Sequence, residues 1–188
     1  ACYNNLGLIA QETGKYDDAL RLYQLSIDMD IELGDISGAA DTKGNLVDIY
    51  IYQGNSKKAL SLSNEIISEC SNNRDKDCVM RSLINRAAIY DNLQNYDAAI
   101  IDLKYAISLA RELEDSYAEA MALSNLGLAI WHKGNPEEAL KILNNVLDMS
   151  SETNDGYDVL NTLWIMSEIY SSQKEYARSN EILLGILK

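Results

Sequence analysis

The stretch NNLGLIAQETGKYDDAL, residues 4–20, has a near-copy 120 positions further along the chain, SNLGLAIWHKGNPEEAL, residues 124–140. Seven of the seventeen positions are identical, namely Asn5/Asn125, Leu6/Leu126, Gly7/Gly127, Leu8/Leu128, Gly14/Gly134, Ala19/Ala139 and Leu20/Leu140. Similarity of this kind within one chain indicates internal repeats, in which a supersecondary unit buries its apolar side only by stacking on its own copies.

A step of 40 residues relates these two copies to further copies between and beyond them. From Gly14 the step reaches Gly54, Gln94, Gly134 and Lys174, and from Ala19 it reaches Ala59, Ala99, Ala139 and Ser179. No insertion interrupts this register. The 188-residue chain is therefore predicted to form a single domain of five units, over residues 1–34, 35–74, 75–114, 115–154 and 155–188.

Each unit has the pattern of two helices joined by a tight turn. In the second unit, apolar residues at helical spacing predict helices over 36–53 and 56–73. Gly54 is predicted to end the first helix in the left-handed conformation, and Asn55 to cap the second. The fourth unit carries Asn135 before Pro136, a typical helix start. Aspartates at the 40-residue spacing are expected to cap the first helices: Asp35, Asp75, Asp115 and Asp155.

Small residues recur where two antiparallel helices must approach closely. The set Gly7, Tyr16, Ala19 and Tyr23 resembles the tetratricopeptide repeat, extended from about 34 residues to 40. The resemblance implies an all-α, right-handed superhelical solenoid of five helix-turn-helix repeats, with the first helices lining a concave groove. The Asn-Leu-Gly run is similar to repeats in kinesin light chain, cell-polarity scaffolds, bacterial peptide-pheromone receptors and large bacterial transcription activators.

The resemblance implies that the candidate binding residues lie on the groove side of the first helices. Asparagines recur at Asn5, Asn45, Asn85 and Asn125. A primary amide offers a donor and an acceptor, so such a row could pair with the backbone of an extended peptide. The resemblance implies this role, and the alternative is that these amides bridge neighbouring hairpins.

Four further groove candidates follow from helical spacing, namely Asp48, Asp91, Trp131 and Arg81. Trp131 could anchor an apolar side chain of a ligand, although a tryptophan can also fill a gap between repeats, the interpretation preferred for Trp164. Acidic residues outnumber basic ones in this set, which favours a ligand with basic residues.

Composition excludes several classes of function. A net charge of −13, from 29 acidic and 16 basic residues, argues against binding to nucleic acid or anionic membranes. Three cysteines without a C-x-x-C pair, Cys2, Cys70 and Cys78, are expected to be free thiols in a cytoplasmic, reducing compartment. His132 is the only histidine, and no catalytic motif, cofactor site or metal site is predicted.

The chain does not begin with Met and starts within a helical pattern, so we expect it to be an excerpt of a longer protein. The predicted function is that of a non-enzymatic scaffold or regulatory module that recognises a protein or peptide segment in its groove. The alternatives are an architectural spacer that associates end to end, and an effector-sensing arm of a larger signalling or transcription regulator.

Overall fold

The computed structural model describes residues 2–153 and 156–186, which form ten helices and no strand. The helices run α1 Cys2–Glu12, α2 Tyr16–Glu32, α3 Ile36–Tyr52, α4 Ser56–Asn72, α5 Lys76–Asn92, α6 Tyr96–Glu112, α7 Ser116–His132, α8 Pro136–Thr153, α9 Gly156–Ser172 and α10 Tyr176–Ile186. The predicted all-α repeat of helical hairpins is confirmed, and the helices of the second unit agree with the sequence pattern to within one residue.

Each turn that the structure describes contains one residue in the left-handed conformation. Gly54 has a φ of 70°, and the N–H of Asn55 donates to the carbonyl of Tyr50 at 2.8 Å, which closes the end of α3. The equivalent residues in the described turns are Gly14, Gly34, Arg74, Gln94, Glu114, Gly134 and Lys174, all with positive φ. The predicted role of Gly54 is confirmed, and four of these positions carry a side chain that disfavours this conformation.

Side-chain caps start most of the helices as the sequence predicts. Asp35, Asp75 and Asp115 each accept a hydrogen bond of 2.9–3.0 Å from the backbone N–H three residues later. Asn55 and Asn135 cap the second helices of their hairpins in the same way, at 3.3 Å. These bonds satisfy N–H groups that the first helical turn leaves without a partner. The expected cap at Asp155 lies outside the described residues.

The chain divides into two compact units, residues 1–89 and 90–188. In the first unit α1 packs on α2, α2 on α3, and α3 on α4. In the second unit α6 packs on α7, α7 on α8, α8 on α9, and α9 on α10. Each unit therefore buries the apolar sides of its hairpins by stacking successive helices, as repeat proteins do.

Small residues lie where the sequence places the closest helix approaches. The alanines at 40-residue spacing, Ala19, Ala59, Ala99 and Ala139, are fully buried. A Cβ atom added to Gly7 would lie 2.5 Å from the ring of Tyr23, and one on Gly127 would lie 2.9 Å from Leu143. In these two hairpins, a missing side chain on the first helix makes room for a large one on the second.

Two sequence-based expectations are wrong. Cys70 and Cys78 are buried but joined by a disulfide between α4 and α5, with their Cα atoms 5.7 Å apart, whereas free thiols were expected. Two cysteines eight residues apart become neighbours because the turn at residues 73–75 folds the chain back on itself. Trp164, expected to fill a gap between repeats, is 52% exposed.

Candidate peptide-binding surface

Three of the four predicted asparagines lie in the first unit, one on each of α1, α3 and α5. Asn5 and Asn85 are exposed, and Asn45 is half-buried. We call the surface formed by these three residues and their exposed neighbours the first-helix face. Within the described part of the chain, no hydrogen bond engages the side-chain amides of Asn5 and Asn85.

Asn45 differs from the other two because its amide already has a partner. Its Nδ2 donates to Oδ1 of Asn4 at 2.7 Å, joining α3 to α1. This is the bridging role that the sequence left open as the alternative to ligand contact. Its amide oxygen still has acceptor capacity, so the two roles are compatible at this position.

Arg81 lies on the same face in a small network of polar groups. Its guanidinium bonds to Asp41, to Oδ2 of Asp77 at 3.0 Å and to the hydroxyl of Ser37 at 3.0 Å. Burial alone would lower the pKa of Arg81, but the two carboxylates outweigh this and raise it. The network joins α5 to α3 and leaves this corner of the face with a net negative charge.

Asp48, on α3, supplies a further negative charge in the first unit. It is exposed, yet nearby protein atoms displace enough water to raise the pKa of its carboxyl above the usual value. Its charge acts on Tyr23, whose hydroxyl donates to Oε1 of Gln11 at 2.7 Å. The structure gives Asp48 no basic partner among the described residues, so a cation would be stabilised beside it.

The remaining candidates lie in the second unit. Asp91 is paired with His132, whose Nδ1 lies 2.8 Å from Oδ2 of the carboxylate. The imidazole also packs against the rings of Tyr96 and Trp131, at centroid distances of 5.8 and 5.1 Å. Trp131 and Asn125, both on α7, are half-buried. The pair therefore serves to hold a polar and aromatic surface in place.

Sequence reasoning missed one polar cluster in the first unit. Lys43, on α3, is 6% exposed and its ammonium contacts Glu65 and Glu69 of α4 at 2.7–2.8 Å. The 40-residue spacing could have revealed this cluster, because the positions equivalent to Lys43 in the other repeats are Tyr3, Leu83, Leu123 and Leu163. A single lysine in an otherwise apolar column marks a place where one repeat departs from the common packing.

Comparison with known proteins identifies the repeat. Two sequence models described as tetratricopeptide repeat match the chain, one over residues 1–68 and 118–184 and the other over residues 81–113. The chain belongs to the tetratricopeptide repeat family. Membership makes it a tetratricopeptide repeat scaffold, a class that typically binds other proteins and is generally non-enzymatic.

Individual relatives are distant or match only in part. Small glutamine-rich tetratricopeptide repeat-containing protein 2 of Saccharomyces cerevisiae is 40% identical over 68 residues, which is 36% of this chain and 18% of the yeast protein. BtubC from P. vanneervenii has a TM-score of 0.80 at 18% identity, covering 96% of this chain and 75% of that one. A Rap protein complexed with competence and sporulation factor has a TM-score of 0.79 at 16% identity, covering 96% and 50%.

These structural likenesses establish the tetratricopeptide solenoid fold and nothing about ligands. Within the described residues, no helix combines the length and the apolar character that crossing a bilayer requires.

Proposed function

We propose that this tetratricopeptide repeat domain binds an extended protein segment along the first-helix face, with asparagine amides pairing to the backbone of the segment. The observation that carries the proposal is the state of Asn5 and Asn85, which are exposed and make no side-chain hydrogen bond among the described residues. An amide on a helix that bonds only to water keeps both its donor and its acceptor for a ligand.

The charges on the same face select for a basic segment. Asp48 carries a carboxylate whose pKa is raised because neighbouring atoms shield it from water, and Asp41 and Asp77 outnumber the single guanidinium of Arg81. A lysine or arginine of the ligand would restore favourable surroundings for these carboxylates. Charge complementarity of this kind contributes mainly to specificity and to the rate of association.

In the second unit, Asn125, Asp91 and Trp131 offer an amide, a carboxylate and an aromatic ring for contact with a ligand. Trp131 is only half-buried, so part of its indole is open to an apolar ligand side chain. The Rap protein noted above was solved with competence and sporulation factor bound, which supports ligand recognition by proteins of this fold.

The proposal is tested with basic peptides selected from a displayed random library on the purified domain. The double variant Asn5→Ala/Asn85→Ala removes the two exposed amides of the first-helix face, and Asn72→Ala, at the end of α4, removes an exposed amide elsewhere. Loss of two hydrogen bonds worth about 1 kcal/mol each should weaken binding by roughly 10- to 30-fold. If the double variant folds normally and binds as tightly as the Asn72→Ala control, the asparagine proposal fails.

One observation favours the architectural alternative, in which copies of the chain associate end to end. Leu6 and Ile9 on α1 are 48% and 57% exposed, whereas their repeat equivalents Leu46 and Ile49 are buried. An apolar surface of this kind could be covered by a second copy. Light scattering over a concentration series tests this: dimers or chains that disappear in Leu6→Lys/Ile9→Lys would support it, and a constant monomer mass would contradict it.

A further inference from the structure

A cleft of about 470 Å³ lies in the first unit between the second helices α2 and α4, with α3 as its floor. The cleft is separate from the first-helix face, which lies on α1, α3 and α5. Its apolar part is formed by Ile27, Leu46, Leu62 and Tyr50. The charged cluster of Lys43, Glu65 and Glu69 also lines it.

The charged cluster has a net charge of −1. The three ammonium protons of Lys43 are directed to Glu65 Oε1 at 2.8 Å and to both oxygens of Glu69 at 2.7 Å. Burial alone would lower the pKa of Lys43, but the two glutamates outweigh it and raise the pKa, so the lysine stays charged. One positive charge therefore faces two negative ones.

The two carboxylates retain capacity for another cation. The side chains of Glu65 and Glu69 are 55% and 38% exposed, while that of Lys43 is only 8% exposed. A carboxylate has about four lone-pair sites, and the lysine uses only some of them. The free lone pairs of the two carboxylates are therefore open to the cleft, while the ammonium of Lys43 is buried beneath them.

Other repeats of the chain have no equivalent of Lys43 in this cluster. Lys43 occupies the position of Leu83 and Leu123 in the register, and an apolar side chain in place of a buried ion pair is often neutral or stabilising. The cluster therefore needs an explanation other than stability, and its position on a cleft provides one.

The two ends of the cleft carry opposite charges. Lys58 lines it as well, with its ammonium 5.4 Å from the centre of the Tyr50 ring. Seven residues along α4 separate Lys58 from Glu65, which is about 10 Å at 1.5 Å per residue. A cationic group in the cleft is therefore repelled at the Lys58 end and attracted at the end formed by Glu65 and Glu69. Apolar side chains line the part between the two ends.

We propose that this cleft binds an arginine side chain presented by a partner protein, with the guanidinium on Glu65 and Glu69 and the alkyl stem on Ile27, Leu46 and Leu62. A guanidinium is planar, carries five donors and pairs with carboxylates through two parallel hydrogen bonds. It is also more weakly hydrated than an ammonium, so placing it beside an apolar floor costs less.

The probe is N-acetyl-arginine methylamide, and its citrulline counterpart is the control because citrulline has the same shape without the charge. Titration is followed in ¹H–¹⁵N spectra of the whole domain. The arginine probe should give saturable shifts confined to residues 24–31, 43–50 and 58–69, which line the cleft, and citrulline should give none. Equal shifts with both probes, shifts spread over all acidic helices, or no saturable shift at tens of millimolar would overturn the proposal.

Variants separate the cleft from general surface charge. Glu65→Gln brings the cluster to zero net charge, while Lys43 keeps its bonds to Glu69. The chemical-shift changes caused by the arginine probe should therefore fall at least several-fold. Glu137→Gln, on α8, removes one acidic charge elsewhere and should change nothing. Arginine binding that survives Glu65→Gln contradicts the proposal.

A second variant keeps the proposal testable if Glu65→Gln disturbs the fold. Ser61 lines the cleft, is exposed, and lies one helical turn before Glu65. Ser61→Arg would place a guanidinium of the chain itself against the carboxylates. The probe should then no longer shift the cleft residues, and unchanged probe binding in this variant would contradict the assignment.

Discussion

In two hairpins, a glycine on the first helix determines how closely the two helices of the hairpin can pack. Gly7 and Gly127 face the large side chains of Tyr23 and Leu143, and both glycines are buried. In the second hairpin the equivalent pair is Val47 and Ser63, both buried, so the larger residue is on the first helix. The larger side chain of each pair can therefore be on either helix, while the backbone geometry of the hairpin stays the same.

Gly7→Ala should destabilise the domain. The new methyl group would meet the ring of Tyr23, which is fully buried and cannot move aside without losing its bond to Gln11. We expect a loss of about 1–3 kcal/mol in the free energy of unfolding, measured by urea denaturation. Gly44→Ala is the matched control, because nothing lies within 4 Å of its added Cβ.

Gly44→Ala should raise stability by roughly 0.5–1 kcal/mol, since alanine is the better helix former. Equal effects of the two substitutions would show that helix propensity, and not packing against Tyr23, determines the response.

Tyr23 should make the domain sensitive to alkaline pH. Burial, with the charges of Asp48 and Glu12, raises the pKa of Tyr23 to about 12. Between the ordinary value near 10 and about 12, the folded protein keeps a proton that the unfolded chain has lost. The contribution to stability is therefore complete below pH 10 and is lost as the pH rises towards 12, by up to ~1.4 kcal/mol per pH unit.

Tyr23→Phe tests this difference in proton binding. Its unfolding free energy should be offset by a constant below pH 10, because the bond to Gln11 is gone, and should fall less steeply than that of the wild type above pH 10. Tyr176→Phe removes an exposed phenol for comparison. Parallel curves for wild type and Tyr23→Phe at high pH would rule out the assigned shift.

At the scale of helices, the turns were the most predictable feature of the sequence. Gly54 and the aspartate caps follow from local rules, since a left-handed residue ends a helix and an acidic side chain starts one. Arg74, Gln94, Glu114 and Lys174 adopt the same conformation without being glycine. We attribute this conformation to the stacking of the hairpins, because each described turn occupies the same place in the repeat.

Gln94→Gly should therefore stabilise the domain. The residue has a φ of 58°, which costs a residue with a side chain about 1 kcal/mol more than glycine. Part of this gain is offset by the greater freedom of glycine in the unfolded chain, so we expect a net increase of a few tenths to 1 kcal/mol. Denaturant unfolding measures it, and Gly54→Ala should show the opposite sign. A destabilised Gln94→Gly would contradict the account of the turns.

The disulfide between α4 and α5 makes the stability of the first unit depend on redox conditions. Closing a loop of about nine residues restricts the unfolded chain by roughly 2.5 kcal/mol. Reductant should lower the free energy of unfolding by about that amount in the wild type and leave Cys70→Ser/Cys78→Ser unaffected. Titration of the unfolded, unreduced protein should find one thiol, that of Cys2, and three titratable thiols would contradict the bond.

At the scale of the whole molecule, the parts that sequence could predict are those that repeat. The helices, the turns and the alanine contacts can be predicted because the same residue pattern recurs at a 40-residue spacing in five copies. The bond between Asn45 and Asn4, the disulfide and the Lys43 cluster each occur once and join residues distant along the chain or across a turn. Such single contacts depend on side-chain positions that no periodicity encodes.

The candidate binding surface falls between these two cases. Register alone places Asn5, Asn45 and Asn85 at one position of successive first helices, but it does not show which amides are already bonded. The structure shows that Asn45 is engaged and that Asn5 and Asn85 are exposed. The three equivalent asparagines are therefore expected to contribute unequally to binding.

The most direct test of peptide recognition is to follow the side-chain NH₂ signals of the asparagines in ¹H–¹⁵N spectra while a library-selected peptide is added. We expect saturable shifts of the Asn5 and Asn85 signals, a smaller shift for Asn45, and changes in α1, α3 and α5 that exceed those in α2 and α4. Tight binding that leaves the Asn5 and Asn85 signals in place would contradict it.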